Sequence, residues 1–387
     1  MEAYLDNAAT TRPFPEVWEV MQQTMTLDFG NPSSMHTKGM EAEQYIRKAR
    51  TVIAKSLKAQ EKEIIFTSGG TEANNQALIG AALANQRQGN HIITTKIEHA
   101  SVHNPILFLE KQGFRITYVS VDENGHVNED ELLDAIGEDT ILVSVMHVNN
   151  EMGAVEDIAT LSKKIKKKKQ SVLFHVDGIQ SYGKKKVYPK RLGIDLYSVS
   201  GHKIHGPKGI GFLYVKDKTK IFPYIYGGGQ QNGMRSGTEN VPGIAGLCKA
   251  VELIYTDHEE KIAQLYQLKE YFISELTKLE GVSVNGFHNL SLEDTAPHIL
   301  SVTVSGVKSE VLLHALEEKN IYVSSGSACS SNHPALSGTL QAIGLSKEQV
   351  ESTIRFSFSV YTTKEELDYT VQSLQELLPV LRKYVRK

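Results

Sequence analysis

Residues 63–86 read EIIFTSGGTEANNQALIGAALANQ, and this stretch decides the fold. The strand candidate at 63–67 has the apolar centre Ile64-Ile65-Phe66, two glycines follow at 69–70, and a helix-like segment rich in alanine lies at 73–86. We therefore predict a buried strand, a tight turn and a helix in succession. A strand that is apolar along its whole length is typical of a parallel sheet with helices on both faces.

The same strand-and-helix rhythm repeats through the middle of the chain. Further strands are predicted at residues 91–95, 115–121, 141–148, 171–177, 195–200 and 211–215. Helix-like segments lie between several of them, at residues 102–112 and 158–169. This alternation favours an α/β fold, with a mainly parallel sheet flanked by helices.

The pattern changes near residue 250. Residues 241–278 are predicted to form one or two long helices, and strands follow at 300–304 and 353–359. In the last of these, Ile354, Phe356 and Phe358 share one face and Arg355 lies on the other, polar face. We expect a smaller α+β domain from about residue 256 to the end.

Composition narrows the class of protein. A chain of 387 residues exceeds one compact core, and a net charge of −3 gives no bulk attraction to nucleic acid or membranes. No run approaches the roughly 18 apolar residues of a membrane span, and the acidic residues 1–6 do not form a signal peptide. Cys248 and Cys329, the only cysteines, indicate free thiols in a reducing compartment. We expect a cytoplasmic protein with no direct nucleic-acid or membrane partner.

Polar segments follow several predicted strands, where ligands gather in open α/β sheets. After residue 67, Gly69 and Gly70 allow close backbone approach, and the start of the next helix suits a phosphate. Thr71 adds a hydroxyl donor, although an ordinary glycine turn with a threonine cap is the alternative. Asp177 closes the 171–177 strand and needs a cationic partner, such as the protonated ring nitrogen of pyridoxal phosphate. Its alternative role is to cap the next turn.

Lys203 lies in a third polar segment, residues 198–209, which reads SVSGHKIHGPKG. A partly buried lysine at a strand end can carry an aldehyde cofactor as a Schiff base, and Ser200 and His202 beside it can bind phosphate. Lys208, further from the strand end, is the competing lysine. The Asn149-Asn150 turn after residue 148 can orient a ring hydroxyl, or can be a simple turn.

Metal and nucleic-acid sites are weaker alternatives. His99 with His103, and His202 with His205, have spacings that could form half of a zinc site. Neither pair comes with the glutamate of the H-E-x-x-H motif, so we predict no metal. The lysine-rich runs at 163–169 and 184–186 are interpreted as solvated surface, and RNA or an acidic protein is a lesser alternative.

Taken together, the motifs resemble those of the cysteine desulfurases of the NifS/IscS type, which are class-V aminotransferase-like enzymes of PLP fold type I. The resemblance runs along nearly the whole chain, through YLDNAATT (4–11), GNPSSMH (30–36), TSGGTEANN (67–75), EHASV (98–102), MHVNNEMGAV (146–155), HVDGIQS (175–181), SGHKIHGPKGIG (200–211), MRSGTEN (234–240), SSGSAC (324–329) and IRFS (354–357). It implies a large domain over 13–255 with a mainly parallel seven-stranded sheet. It also implies a small domain over 256–387, with segment 1–12 packed on it.

The resemblance also assigns roles to individual residues. Lys203 matches the Schiff-base lysine, Asp177 the partner of the pyridine nitrogen, Gln180 the donor to the phenolic oxygen and His99 the histidine stacked on the ring. The residues that match the family's phosphate ligands are Gly70, Thr71, Ser200 and His202. Thr238 matches a phosphate ligand that reaches the site from a partner subunit, so the resemblance implies a homodimer. Asn150 and Arg355 match the groups that hold the substrate carboxylate, and Cys329 matches the sulfur-accepting nucleophile.

The implied reaction is PLP-dependent removal of sulfur from L-cysteine, which gives L-alanine and a persulfide on Cys329. Acceptor proteins would then carry the sulfur toward iron–sulfur cluster assembly, tRNA thiolation or other sulfur-carrier pathways. The alternatives are a selenocysteine lyase, an aminotransferase of the same fold, or a sulfur-delivery scaffold that turns over poorly alone. One departure is Gln230-Gln231 after the glycines at 227–229, where some members carry His-Glu.

Overall fold

The computed structural model describes residues 1–325 and 336–384. Its strands are β1 (Ala3–Tyr4), β2 (Ile64–Thr67), β3 (His91–Thr95), β4 (Arg115–Val119), β5 (Thr140–Met146), β6 (Leu173–Asp177), β7 (Leu196–Ser200), β8 (Gly211–Val215), β9 (Val282–Val284), β10 (Ile299–Val304), β11 (Ile321–Tyr322), β12 (Ser324–Ser325) and β13 (Thr353–Ser357). Its α-helices are α1 (Pro15–Thr26), α2 (Thr37–Leu57), α3 (Gly70–Asn85), α4 (Ala100–Lys111), α5 (Glu129–Ala135), α6 (Ile158–Lys168), α7 (Pro189–Leu192), α8 (Val241–Tyr255), α9 (His258–Leu276), α10 (Ser309–Glu317), α11 (Gly338–Ala342), α12 (Lys347–Glu351) and α13 (Lys364–Leu381).

A seven-stranded sheet forms the centre of the molecule, in the order β2-β8-β7-β6-β5-β3-β4. Strands β3 to β7 pair in parallel, and β8 runs antiparallel to both of its neighbours, β7 and β2. This confirms the predicted α/β fold with a mainly parallel sheet of seven strands. The predicted bounds of β3 and β8 match the structure to the residue.

Both faces of this sheet are buried, and neighbouring residues of one strand enter different cores. Phe66 and Tyr214 pack in a core with α2, α6 and α8, whereas Ile65 and Leu213 pack in a second core with α3 and α4. Alanines along α3, including Ala77, let that helix lie close to the sheet. Two-sided burial is the physical reason that these strands are apolar along their whole length.

A second, antiparallel sheet has the order β12-β13-β10-β9 and its own core. That core joins the sheet to helices α9, α10 and α13, and it also takes in Ala3 and Leu5 from the N-terminal segment. Strand β1 pairs in parallel with β11, and Asp6 forms a bridge to Ser357. The division into domains at residues 255 and 256 stays a prediction, and residues 256–257 lie between α8 and α9.

Two details refine the expected elements. The predicted helical region 241–278 is two helices, because Thr256 is extended and Asp257 has a left-handed backbone with φ 48°. In β13 the polar face is buried as completely as the apolar face, since the N-terminal segment and the Asn150 turn cover it. In the described part of the chain, no helix has the length and apolar character needed to span a membrane.

Candidate active site

A cavity of about 390 Å³ opens where β5, β6 and β7 end. The chain therefore brings together side chains from segments far apart in sequence, as the strand-end rule anticipates. Ten of the predicted site residues line this cavity: Gly70, Thr71, His99, Asn150, Asp177, Gln180, Ser200, His202, Lys203 and Arg355. Thr238 is exposed and is not among the lining residues, and Cys329 lies outside the described residues.

The N-terminus of α3 forms one end of the cavity. The first helical hydrogen bond runs from the Ala73 N–H to the Gly69 carbonyl, so the preceding N–H groups have no helical acceptor. Gly69 has φ 151° and ψ −173°, a backbone conformation that residues other than glycine rarely adopt. An ideal Cβ on Gly70 would lie 3.4 Å from Ser200 Cβ, so Ser200 stands beside the helix start. These donors and the helix dipole make an anion site.

Asp177 is buried at the end of β6. Its Oδ1 accepts a hydrogen bond from the Ile179 N–H at 2.9 Å, and its Oδ2 accepts one from Asn74 Nδ2 at 2.8 Å. Burial raises the pKa of Asp177, and these two donors, with the nearby His99 and Lys203, oppose the rise. Such a carboxylate favours a cationic partner in the cavity.

His99 caps the N-terminus of α4 and lines the cavity. Its Nδ1 accepts a hydrogen bond from the Ser101 N–H at 3.1 Å and lies 2.8 Å from Ser101 Oγ. Burial lowers the pKa of His99, as do the cations Lys203 and Arg355, and the neighbouring Asp177 acts in the opposite direction. The ring is therefore held in place at one nitrogen and disfavours a positive charge.

Lys203 projects from the turn after β7 into the cavity. Its Nζ donates to the carbonyls of Ala8 and Ala9, each at 2.6 Å. Lys208, the competing lysine, lines a separate groove near Arg12 and is exposed. The geometry therefore favours Lys203 over Lys208 as the amine of this cavity.

A second lysine lies buried directly beside this turn. Lys184 donates to the backbone carbonyl of Lys203. Burial and the charge of Lys203 lower the pKa of Lys184 to about 7. His202 also has a lowered pKa, about 4, through burial and then Lys203, and its Nδ1 lies 3.2 Å from Thr10 Oγ1. A neutral His202 can still donate one N–H to a ligand.

Gln180 is held by contacts on both ends of its amide. Its Nε2 donates to the Ala8 carbonyl at 2.9 Å, and its Oε1 lies 3.2 Å from His298 Nε2. His298 is fully buried and its pKa is lowered by burial and by surrounding cations, of which Lys184 is the first. An imidazole N–H donated to Oε1 keeps the amide nitrogen of Gln180 toward the cavity.

Arg355 is buried and engaged in the wall of the cavity. Its guanidinium donates to Asp6 Oδ1 at 2.9 Å and to the Asn150 carbonyl at 2.7 Å. Its Nε is buried and has no hydrogen-bond partner in the described chain. Arg355 therefore forms a buried ion pair with Asp6, and its Nε is left without a partner among the described residues.

Glu151 connects this wall to helix α11. The Ser337 hydroxyl donates to its carboxylate, and burial raises the pKa of Glu151 while Ser337 and Arg355 oppose the rise. Ser337 is the N-cap of α11. The Asn150 turn is thus tied to the N-terminus of α11.

The metal and nucleic-acid alternatives depend in part on residues that do not line the cavity: His103, His205 and the lysine-rich runs. His103 packs against Tyr118, and the Nδ1 of His205 lies 2.7 Å from the Arg12 carbonyl. Residues 1–325 and 336–384 contain no cluster of three potential metal ligands. In the run 163–169, Lys163, Lys164, Lys167 and Lys168 are exposed, as predicted for a solvated surface. The prediction is wrong for Lys184, which is buried because its ammonium group bonds the Lys203 carbonyl.

Comparison with known proteins identifies the family. The family model described as "Aminotransferase class-V" matches residues 3–370. The chain belongs to the class-V aminotransferase family. A curated relative from Dictyoglomus turgidum, "Cysteine desulfurase IscS", is 46% identical over 382 residues, which are 98% of this chain and 95% of the relative. This class-V chain is therefore a pyridoxal-phosphate-dependent enzyme of the cysteine desulfurase type.

Comparison with solved structures agrees with this assignment. A "NIFS-LIKE PROTEIN" superimposes with a TM-score of 0.92 at 37% identity, covering 98% of this chain and 100% of the other. A structure described as "SspA in complex with cysteine" has a TM-score of 0.82 at 35% identity, covering 93% of this chain and 100% of the other. The fold and the family therefore rest on both sequence and structure.

The cavity fits the cofactor of this family. An amine, a buried carboxylate and an anion-binding helix start line one space of about 390 Å³, within the roughly 300–1,000 Å³ typical of small-molecule sites. The carboxylate of Asp177 retains acceptor capacity beyond its two donors, since an ionised carboxylate accepts about four hydrogen bonds. Lys203, Asp177 and the α3 N-terminus are the groups that would hold pyridoxal phosphate.

Several residues of this cavity were not predicted from the sequence. Asp6, Ser101 and Ser324 line the cavity, and Asn74 and His298 contact residues that do. Asn74 lies inside the TSGGTEANN motif and Asp6 inside YLDNAATT, so their positions could have suggested them. His298 lies in no motif, and only the packing of the second sheet against the first reveals it.

Gly69 provides a test of the anion site. We expect Gly69→Ala to weaken binding of pyridoxal phosphate and of inorganic phosphate, because a side chain disfavours φ 151° and so disturbs the helix start. The matched control is Gly113→Ala, which also changes a positive φ, 93°, with open space around its Cβ. Both substitutions should cost about 1 kcal/mol or more of unfolding free energy in urea. Equal loss of phosphate affinity in both variants would contradict the assignment.

Proposed function

We propose that this chain removes sulfur from L-cysteine with pyridoxal phosphate, releasing L-alanine and leaving a persulfide on Cys329. The observation that carries the proposal is the convergence of Lys203, Asp177 and the α3 N-terminus on one cavity, in a chain 46% identical to a protein named cysteine desulfurase. A similar solved structure is a complex with cysteine, which supports the substrate.

The proposed cofactor contacts divide the cavity into two ends. The phosphate would be held by Gly70, Thr71, Ser200 and His202. The side chains of Thr71, Ser200 and His202 add hydrogen-bond donors to the backbone N–H groups at the start of α3. At the other end Asp177 would pair with the ring nitrogen and keep a proton there. When bound, pyridoxal phosphate supplies a ring that withdraws electrons from the substrate's α-carbon.

Three further side chains would orient the ring. Gln180 would donate from its second amide N–H to the phenolic oxygen, since its first N–H goes to the Ala8 carbonyl. His99, fixed by Ser101, would contact the ring face. The Lys203 amine would carry the cofactor and, once released by substrate, accept the α-carbon proton at Nζ.

Arg355 and Asn150 would recognise the substrate carboxylate. Guanidinium groups bind carboxylates with two parallel hydrogen bonds. In Arg355 the Nε is unpaired, and the Nη2 nitrogen of the same guanidinium donates to Asp6. Asp6 therefore competes for one donor and holds the guanidinium in place before substrate arrives. The polar face of β13 thus serves the substrate, although it is buried.

Sulfur transfer is assigned to Cys329. Its thiolate would attack the substrate sulfur, forming an S–S bond while the carbon–sulfur bond breaks and its electron pair returns to the carbon skeleton. Because Cys329 lies outside the described residues, the assignment rests on the resemblance of the SSGSAC segment. Cys248 is buried in α8, and burial raises its pKa to about 11, which suits a structural thiol.

Partners and location follow from the same proposal. The persulfide would pass to sulfur-acceptor proteins, in iron–sulfur cluster assembly, tRNA thiolation or another carrier pathway. Direct nucleic-acid binding and membrane association are not part of the proposal. A thiol nucleophile requires reducing surroundings, so we propose the cytoplasm.

The proposed unit is a homodimer. Thr238 is exposed on the free chain, as a residue that completes a partner's site would be. Large apolar side chains are also exposed, including Met35 at 97%, Tyr226 at 76% and Phe29 at 68%. Water-exposed groups of this size favour burial against another protein surface. The Gln231 side chain, part of the departure from the family pattern, is buried against Arg50 at 2.6 Å.

Replacing Lys203 tests the cofactor site. We expect Lys203→Ala to lose the visible absorbance of the bound cofactor, because the amine that carries it is gone. Lys208→Ala, the matched control in the neighbouring groove, should keep that absorbance. A spectrum that depends on Lys208 and not on Lys203 would show that the cofactor is held elsewhere.

Replacing Cys329 tests the sulfur step. We expect Cys329→Ala to keep the cofactor absorbance and to lose persulfide formation from L-cysteine, measured by thiol-trapping mass spectrometry and by sulfide release. Cys248→Ala should retain both, since this thiol is buried in α8 and does not line the cavity. Unchanged sulfur delivery to an acceptor protein by Cys329→Ala would refute the proposal.

Sedimentation and a Thr238 variant test the proposed homodimer. The holoenzyme should sediment at about twice the chain mass of 42.9 kDa. Thr238→Ala should leave that mass unchanged and weaken pyridoxal-phosphate binding by about tenfold, the cost of roughly one lost hydrogen bond to a charged group. A monomer with full activity would exclude a shared site.

A further inference from the structure

Asn74 joins two residues of the cavity that lie far apart in the sequence. It is fully buried on α3, and its Nδ2 lies 2.8 Å from Asp177 Oδ2 and 2.8 Å from Ser101 Oγ. An amide nitrogen carries two hydrogens, so it can donate to both. The amide orientation follows from these partners, because Oδ1 turned toward Asp177 would face a second acceptor.

The Ser101 hydroxyl group donates its hydrogen bond to His99. Its hydroxyl oxygen accepts from Asn74, which leaves the hydroxyl proton for His99 Nδ1 at 2.8 Å. The Ser101 backbone N–H also points at the same nitrogen, at 3.1 Å. A backbone N–H can only donate, so Nδ1 must be the acceptor and can carry no proton in this arrangement.

We infer that Asn74 and Ser101 are positioning residues that hold His99 neutral, with its single proton on Nε2. His99 then offers the cavity a hydrogen-bond donor and no basic nitrogen, which leaves Lys203 as the residue that accepts a proton from substrate. The inference deepens the proposed function and rests on it, because it assigns the proton of a residue in the same site.

The charges around His99 agree with this state. Lys203 and Arg355 disfavour a second proton on the ring, and Asp177 favours one. Asn74 also links Asp177 to Ser101 by hydrogen bonds, in addition to the through-space effect of the Asp177 charge on His99. These two hydrogen bonds commit both hydrogens of Asn74, whose Oδ1 is buried and left unpaired in the described structure.

The first test is nitrogen-15 NMR of holoenzyme labelled at histidine, with His99→Gln to assign the signal. We expect a neutral ring with its proton on Nε2, unchanged from about pH 8 to about pH 6, across the usual titration range of histidine. A positively charged ring at neutral pH, or a proton on Nδ1, would overturn the inference. The spectrum requires no turnover, so failure of desulfurase activity and failure of this inference remain separate results.

Substitutions separate the two positioning residues. Ser101→Ala should raise the pKa of His99, since one of the two donors to Nδ1 is lost. Ser101→Thr keeps the hydroxyl and should restore the parent titration. Asn74→Ala should shift the titration of His99 and also weaken pyridoxal-phosphate binding about tenfold, because Asp177 loses a donor.

The control is Asn75→Ala on the same helix turn. Asn75 donates to the Thr71 carbonyl and has no hydrogen bond to Asp177 or Ser101 among the described residues, so its loss should move neither the His99 titration nor the tautomer. A titration of His99 that is unmoved in both Ser101→Ala and Asn74→Ala would overturn the chain of hydrogen bonds. If Asn74→Ala does not fold, Ser101→Ala and Ser101→Thr decide the question by themselves.

Discussion

A carboxylate withdrawn from water at the end of β6 is the constraint on which this molecule depends. Isolated burial of such a charge is costly, so Asp177 requires donors from the chain and a cation from the ligand. The chain supplies Asn74 from α3 and the Ile179 N–H from the following turn. The parallel sheet places α3 and the turns of β6 and β7 at one edge, so the same architecture that buries Asp177 also surrounds it with partners.

The N-terminal segment closes the site from a different direction. It pairs with β11 in a two-stranded sheet and forms a bridge to β13 of the second sheet. At the cavity, the carbonyls of Ala8 and Ala9 accept from Lys203, and the Thr11 hydroxyl donates to the His202 carbonyl. Asp6 holds Arg355 in the same wall. Residues 6–11 therefore connect the two sheets through the cavity, which makes substrate recognition sensitive to how the sheets pack.

The strands and helices of the central sheet were predictable because their burial repeats along the chain. Uninterrupted apolar runs predicted β3 and β8 to the residue, and ten candidate site residues come together in one cavity. Alternation in β13 correctly separated Ile354 from Arg355. It did not reveal that the polar side is buried, since local alternation reports the two faces of a strand and not what covers each of them.

By itself, the sequence determined the α/β class, the order of the polar turns and the family resemblance. Each depends on local pattern or on motifs in a fixed order. Only the tertiary structure decided between Lys203 and Lys208 on physical grounds, because the choice depends on which amine enters the cavity. It alone revealed the contact of Asn74 with Asp177, 103 residues apart, and of His298 with Gln180, 118 residues apart. Hydrogen bonds between such distant residues depend on packing, which leaves no periodic trace in the chain.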